Sequence, residues 1–93
     1  MVLLTTVESS FEVPGRGCWI VPAQWKSDLR VRQEDKIQLR TPGGHILNTY
    51  IGWIERAYGP SAGVRLTIGL PRDITKEDVP SGTEIWLVDR KAD

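Results

Sequence analysis

Apolar positions along this chain recur mostly at every second residue, the spacing at which a pleated strand turns its side chains to one face. Val64, Leu66 and Ile68 alternate with Arg65 and Thr67, and the pairs Leu29/Val31 and Ile37/Leu39 keep the same period. The stretch 23–41 is the only one longer than thirteen residues without Gly or Pro, and within it only Trp25 and Leu29 stand at helical spacing. β-branched and aromatic residues fill the other runs. The pattern predicts six strands, at residues 2–13, 18–26, 35–41, 45–56, 63–70 and 83–89. Pro14-Gly15-Arg16-Gly17 and Pro42-Gly43-Gly44 are expected to make tight hairpin reversals, and Tyr58-Gly59-Pro60-Ser61-Ala62 a looser connection. Pro71 to Gly82 has room for one short helical turn, with Thr75 as its cap before Lys76-Glu77-Asp78. Glu84-Ile85-Trp86-Leu87-Val88 is apolar on both faces, as in a closed barrel or under a neighbouring module. The expected fold is all-β, with at most one short helical turn.

Ninety-three residues suffice for one domain. Twelve basic and twelve acidic residues cancel, so bulk charge supports neither a polybasic grip on nucleic acid nor an acidic tail. Locally, residues 23–41 carry five bases and three acids, and residues 72–93 four and six. Arg30, Arg32, Lys36 and Arg40 fall opposite the apolar set and form either a modest phosphate-contacting stripe or a solvated face balanced by Asp28, Glu34 and Asp35. One cysteine, Cys18, excludes a disulfide framework and Cys-based metal clusters, and points to the cytoplasm. No apolar run approaches the ~20 residues of a membrane span, and there is no signal-peptide pattern.

Chemistry-bearing groups are sparse. The phosphate-cradling patterns G-x-x-x-x-G-K-[ST] and G-x-G-x-x-G are absent, so no nucleotide is expected. No cofactor is expected, and no metal either: the nearest ligand pair, Glu34-Asp35, points to opposite faces if extended. His45 and Cys18 follow different turns, and the expectation is a surface turn residue and a small core residue. An enzyme is accordingly the least favoured function. Trp19, Trp25, Trp53 and Trp86 all fall in predicted strands; Trp19 and Trp25 share a face, as do Ile51, Trp53 and Glu55. Any tryptophan left exposed would mark an interface or a base-stacking platform.

Val7-Glu8-Ser9-Ser10-Phe11-Glu12-Val13-Pro14-Gly15-Arg16-Gly17 closely resembles the V-E-x-x-F-x-[IV]-x-G-R-G opening of domain 2 of translational GTPases, as in elongation factor Tu. Leu29 to Ile37 is similar to the family's I-x-V-G-D-x-V segment, and Gly52-Trp53-Ile54-Glu55 to its G-[IV]-E strand. Ala62 to Leu66 with Gly69-Leu70 follows V-G-x-x-L-x-G-[IV], and Asp78 to Gly82 follows D-[IV]-x-x-G, so the likeness spans roughly residues 5–88. The resemblance implies a six-stranded antiparallel closed barrel of Greek-key type and a non-catalytic module that binds the tRNA acceptor end, the ribosome or a translation-related protein. It places Glu8, Phe11 and Arg16 near an acceptor-end pocket, with Gly15 and Gly17 shaping the turn. Met1 and the charged ending Arg90-Lys91-Ala92-Asp93 are those expected of a complete short chain, and 93 residues match one such barrel standing without the GTP-binding domain. Departures are Ser9 where Asp is usual, Cys18 where Thr is usual, and Pro60-Ser61-Ala62 for a Gly-Asp-Asn run. They motivate an alternative, a decoy or regulatory barrel that binds a protein partner of the translation factor.

Overall fold

Among the described residues, alternation of apolar and polar positions produces seven antiparallel strands in one sheet: β1 (Val2–Val13), β2 (Gly17–Pro22), β3 (Lys36–Arg40), β4 (Ile46–Tyr50), β5 (Trp53–Gly59), β6 (Gly63–Gly69) and β7 (Glu84–Leu87). The computed structural model describes residues 1–23, 31–59 and 63–88. The one helical element among them is a 3-10 turn at Lys76–Asp78, where Asp78 Oδ2 accepts hydrogen bonds from the Thr75 N–H (2.9 Å) and hydroxyl (3.1 Å). No described helix is long and apolar enough to cross a membrane.

Strand order is β4-β3-β7-β1-β2-β6-β5. β1 is long enough to serve two neighbours: Val2 to Thr6 pair with β7, and Val7 to Val13 with β2. Register irregularities at Leu3/Thr5 and Val7/Ser9 sit around this change of partner, where bulges bend a strand. The fully buried Leu4, Ile20, Ile37, Leu39, Ile51, Ile68 and Ile85 form the core, with Leu70 and Val79 from the β6–β7 connection. Each such side chain contributes about 1.5–3 kcal/mol by leaving water.

Seven strands appear where six were expected because the predicted strand 45–56 is divided. The Ile51 N–H donates to Asp35 O (3.0 Å), whereas the Gly52 N–H donates to Gly69 O (2.8 Å), so the chain leaves the β3 side and joins β6 across one peptide. Glycine suits this corner, since a Cβ on Gly52 would stand 3.1 Å from Gly69 O. The hand-over also breaks the alternation. Ile51 is fully buried while Trp53 is 39% exposed, so the two do not share a face as expected. β4 and β5 are the two ends of the strand order, and among the described residues no ladder joins them. Of the predicted strand 18–26, β2 covers the part to Pro22 and the Ala23 N–H still donates to Thr6 O (2.8 Å), while residues 24–26 lie outside the described residues. Trp25, Leu29 and Arg30 lie outside the described residues.

Candidate functional site

Four residues stand in one cross-strand row. Phe11 faces Trp19 across β1–β2, Trp19 faces Gly69 across β2–β6, and Gly69 faces Trp53 across β6–β5. Directly opposed residues point to the same side of a sheet, and here that side is the outer one. Cys18 and Ile20, the neighbours of Trp19 in β2, point to the core instead. Gly69 has no side chain, so the two indoles meet over it with centroids 6.3 Å apart and planes inclined by 23°. The stack shelters Trp19, which is buried, and leaves Phe11 (43%) and Trp53 (39%) exposed at its ends. Trp19 Nε1 is buried without a hydrogen-bond partner among the described residues. The register that assembles this row links strands distant in the chain.

The residues expected from the resemblance are placed along the β1–β2 hairpin but not in one pocket. Gly15, Arg16 and Gly17 form its turn, closed by a bond from the Arg16 N–H to Val13 O (2.8 Å), and Arg16 is exposed. Phe11 lies in the row. Glu8 is exposed at the irregularity between Val7 and Ser9, about 16 Å along the strand from the turn. A cleft of about 480 Å³ opens beside the turn, lined by Glu12, Pro14, Gly15, Arg72 and Thr75 among others. Glu12 Oε1 accepts from the Lys76 N–H (3.2 Å) across it and ties the hairpin to the 3-10 turn.

The expected basic stripe is only partly assembled. Lys36 and Arg40 alternate along β3 on its outer side. Arg32 belongs instead to the turn before β3, where its N–H donates to Asp35 Oδ2 (2.8 Å), and Glu34 takes a left-handed φ of 73°. The Glu34-Asp35 pair is therefore a turn rather than an extended segment. Arg40 is engaged as well: its Nε donates to Gln38 Oε1 (2.7 Å), and its Cζ sits 4.4 Å from the Trp86 ring centroid, a cation–π contact. Trp86 Nε1 donates in turn to Glu84 Oε1 (3.1 Å). The Arg40 charge thus shares its surroundings with an acid.

His45 is exposed in the β3–β4 turn and Cys18 is buried in the core, so the two do not meet. No cluster of three or more His, Cys, Asp or Glu residues among the described ones is arranged to hold a metal ion. Burial pushes the Cys18 thiol above the ordinary thiol range; the charge of Glu12 adds to this, and a hydrogen bond with Ser10 opposes it. A raised thiol pKa in the fold means that the unfolded chain ionises first. Its contribution to stability is present below the ordinary thiol pKa of ~8.5 and is lost as pH rises through the folded value. Between pH 8 and 10 the melting temperature of the parent is expected to fall more than that of Cys18→Ala, and thiol labelling to await unfolding. Equal slopes, or fast labelling of the native protein, would contradict this placement.

Comparison with protein-family models, curated proteins and solved structures finds no match for this chain.

Proposed function

We propose that the protein is a non-catalytic binding module of the translation-factor domain 2 type, which engages a component of the translation machinery through the outer face of β1, β2, β6 and β5. The observation that carries this reading is the row Phe11–Trp19–Trp53. Its exposed ends are flat and apolar, and the hairpin that holds Phe11 presents Arg16 at its turn. Aromatic faces stack on unpaired bases, and an exposed arginine supplies a phosphate contact. Titration with ribosomes and aminoacylated tRNA tests the reading. Trp53→Ala is expected to weaken binding about tenfold or more, and Arg16→Ala to weaken it with no change in melting temperature. Absence of binding to either partner at low salt would sink it.

A protein partner is the second reading, favoured by the partial exposure of both Phe11 and Trp53. Large aromatics anchor protein interfaces, and Glu8 and Glu55, exposed on β1 and β5, repel phosphate. Pull-down from lysate separates the two: RNA recovered with the protein supports the first, and one dominant protein whose capture depends on Trp53 supports the second.

A further inference from the structure

Among the described residues, β4 is an edge strand without the usual protection. The bonds Thr41 N–H to His45 O and Ile51 N–H to Asp35 O mark the odd-numbered residues of this segment as those whose backbone groups face β3. Ile46, Asn48 and Tyr50 therefore turn both N–H and C=O away from β3, toward the free edge of the sheet, and their side chains share the outer face. Ile46 is 57% exposed, Tyr50 48%, and Asn48 is exposed between them. Folded proteins guard such edges with charged residues, proline or bulges. The segment Ile46-Leu47-Asn48-Thr49-Tyr50 has no charge and no proline, and its pairing with β3 is regular throughout. β5, at the other end of the order, carries the exposed Glu55.

We propose that β4 is a self-association edge, on which two copies of the chain pair β4 to β4, antiparallel, about a twofold axis through Asn48. The sequence is self-complementary in that register. Asn48 faces Asn48 of the second copy, each donating its N–H to the other's carbonyl. Ile46 faces Tyr50 of the second copy on either side, so the apolar side chains left exposed on one copy cover those of the other. The absence of charge makes a second copy the natural occupant, because no residue of β4 repels its own duplicate. This surface lies at the opposite end of the strand order from β5, so the inference is independent of the function proposed for the aromatic row.

Sedimentation from micromolar to millimolar concentration is expected to show a monomer–dimer equilibrium. Asn48→Lys sets like charges opposite each other at the axis and is expected to weaken it about fivefold or more, as is Asn48→Asp. An equimolar mixture of the two variants is expected to restore dimers, now mixed. Both substitutions are at an exposed position whose N–H takes no part in the β3 ladder, and unchanged circular dichroism and melting temperature would verify their folds. In the parent, the amides of Ile46, Asn48 and Tyr50 should gain exchange protection as concentration rises, while those of Leu47 and Thr49 are protected throughout. A monomer at millimolar concentration, a dimer indifferent to both charges, or protection without this alternation would overturn the proposal.

Discussion

Replacing Gly17 with alanine is expected to cost about 2–4 kcal/mol of stability, whereas the same change at Gly15, two residues away, costs about 1 kcal/mol. Both glycines have positive φ, 97° at Gly17 and 79° at Gly15, so both substitutions carry the left-handed penalty of an L side chain. They differ in what the new methyl meets. At Gly17 it would stand 3.2 Å from Leu70 O and 3.3 Å from Arg72 Cα, backbone atoms that cannot rotate aside, while at Gly15 nothing lies within 4 Å. At roughly 4–8 °C per kcal/mol for a domain of this size, thermal unfolding should lose about 8–32 °C in the first variant and about 4–8 °C in the second. Equal losses would show that φ alone governs both positions. The contrast bears on function, because the Gly-Arg-Gly block then has a folding reason for its second glycine. Loss of partner binding in Gly17→Ala would report a displaced hairpin, whereas loss in Arg16→Ala would report a lost contact.

How far the sequence discloses this molecule depends on the range of the interaction that decides each feature. Local features were legible. The alternation in Ile37/Leu39 and around Ile68 marks β3 and β6, and the proline and glycine clusters mark the hairpin turns. Thr75 precedes the one 3-10 turn as expected. The division of residues 45–56 into β4 and β5 was not legible, since Ile51 and Gly52 change partners without any local sign beyond a single glycine. That one event reverses the expected relation between Ile51 and Trp53 and brings Trp53 to the surface. The candidate site was legible only in its parts. Phe11 and the tryptophans stand out in the sequence, but their alignment requires the order β1-β2-β6-β5, which brings residue 69 between residues 19 and 53. Gly69 lies one residue from the end of a predicted strand and has no visible role until both neighbours are known. The stripe of Arg32, Lys36 and Arg40 fails for a related reason. Alternation places Lys36 and Arg40 correctly, while the left-handed Glu34 converts the residues before them into a turn.

Gly69→Val is expected to destabilise the protein by about 2–3 kcal/mol and to open the aromatic row, and it provides the most direct test that the row is a packed unit. A Cβ at this position would lie 3.0 Å from Trp53 Cε3 and 3.1 and 3.2 Å from Trp19 Cε2 and Cζ2. Trp19 is buried and held between neighbours, so it cannot yield, and the strain falls on Trp53, which is already 39% exposed and free to swing outward. The swing costs the stack between the indoles and wets the upper face of Trp19. Tryptophan emission should therefore move to the red as the melting temperature falls by roughly 8–24 °C. Trp53→Ala removes the ring with which the valine collides, so a double-mutant cycle is decisive. Gly69→Val should cost markedly less in the Trp53→Ala background than in the parent, with a coupling of about 1 kcal/mol or more, the range measured for residues in contact. Additive losses would mean that valine at 69 acts through the backbone of β6, and the row would then be three separate aromatics rather than one surface. If the coupling is found, Gly69→Val becomes the control that the binding experiments need, because it disperses the stack while every side chain of the row is retained.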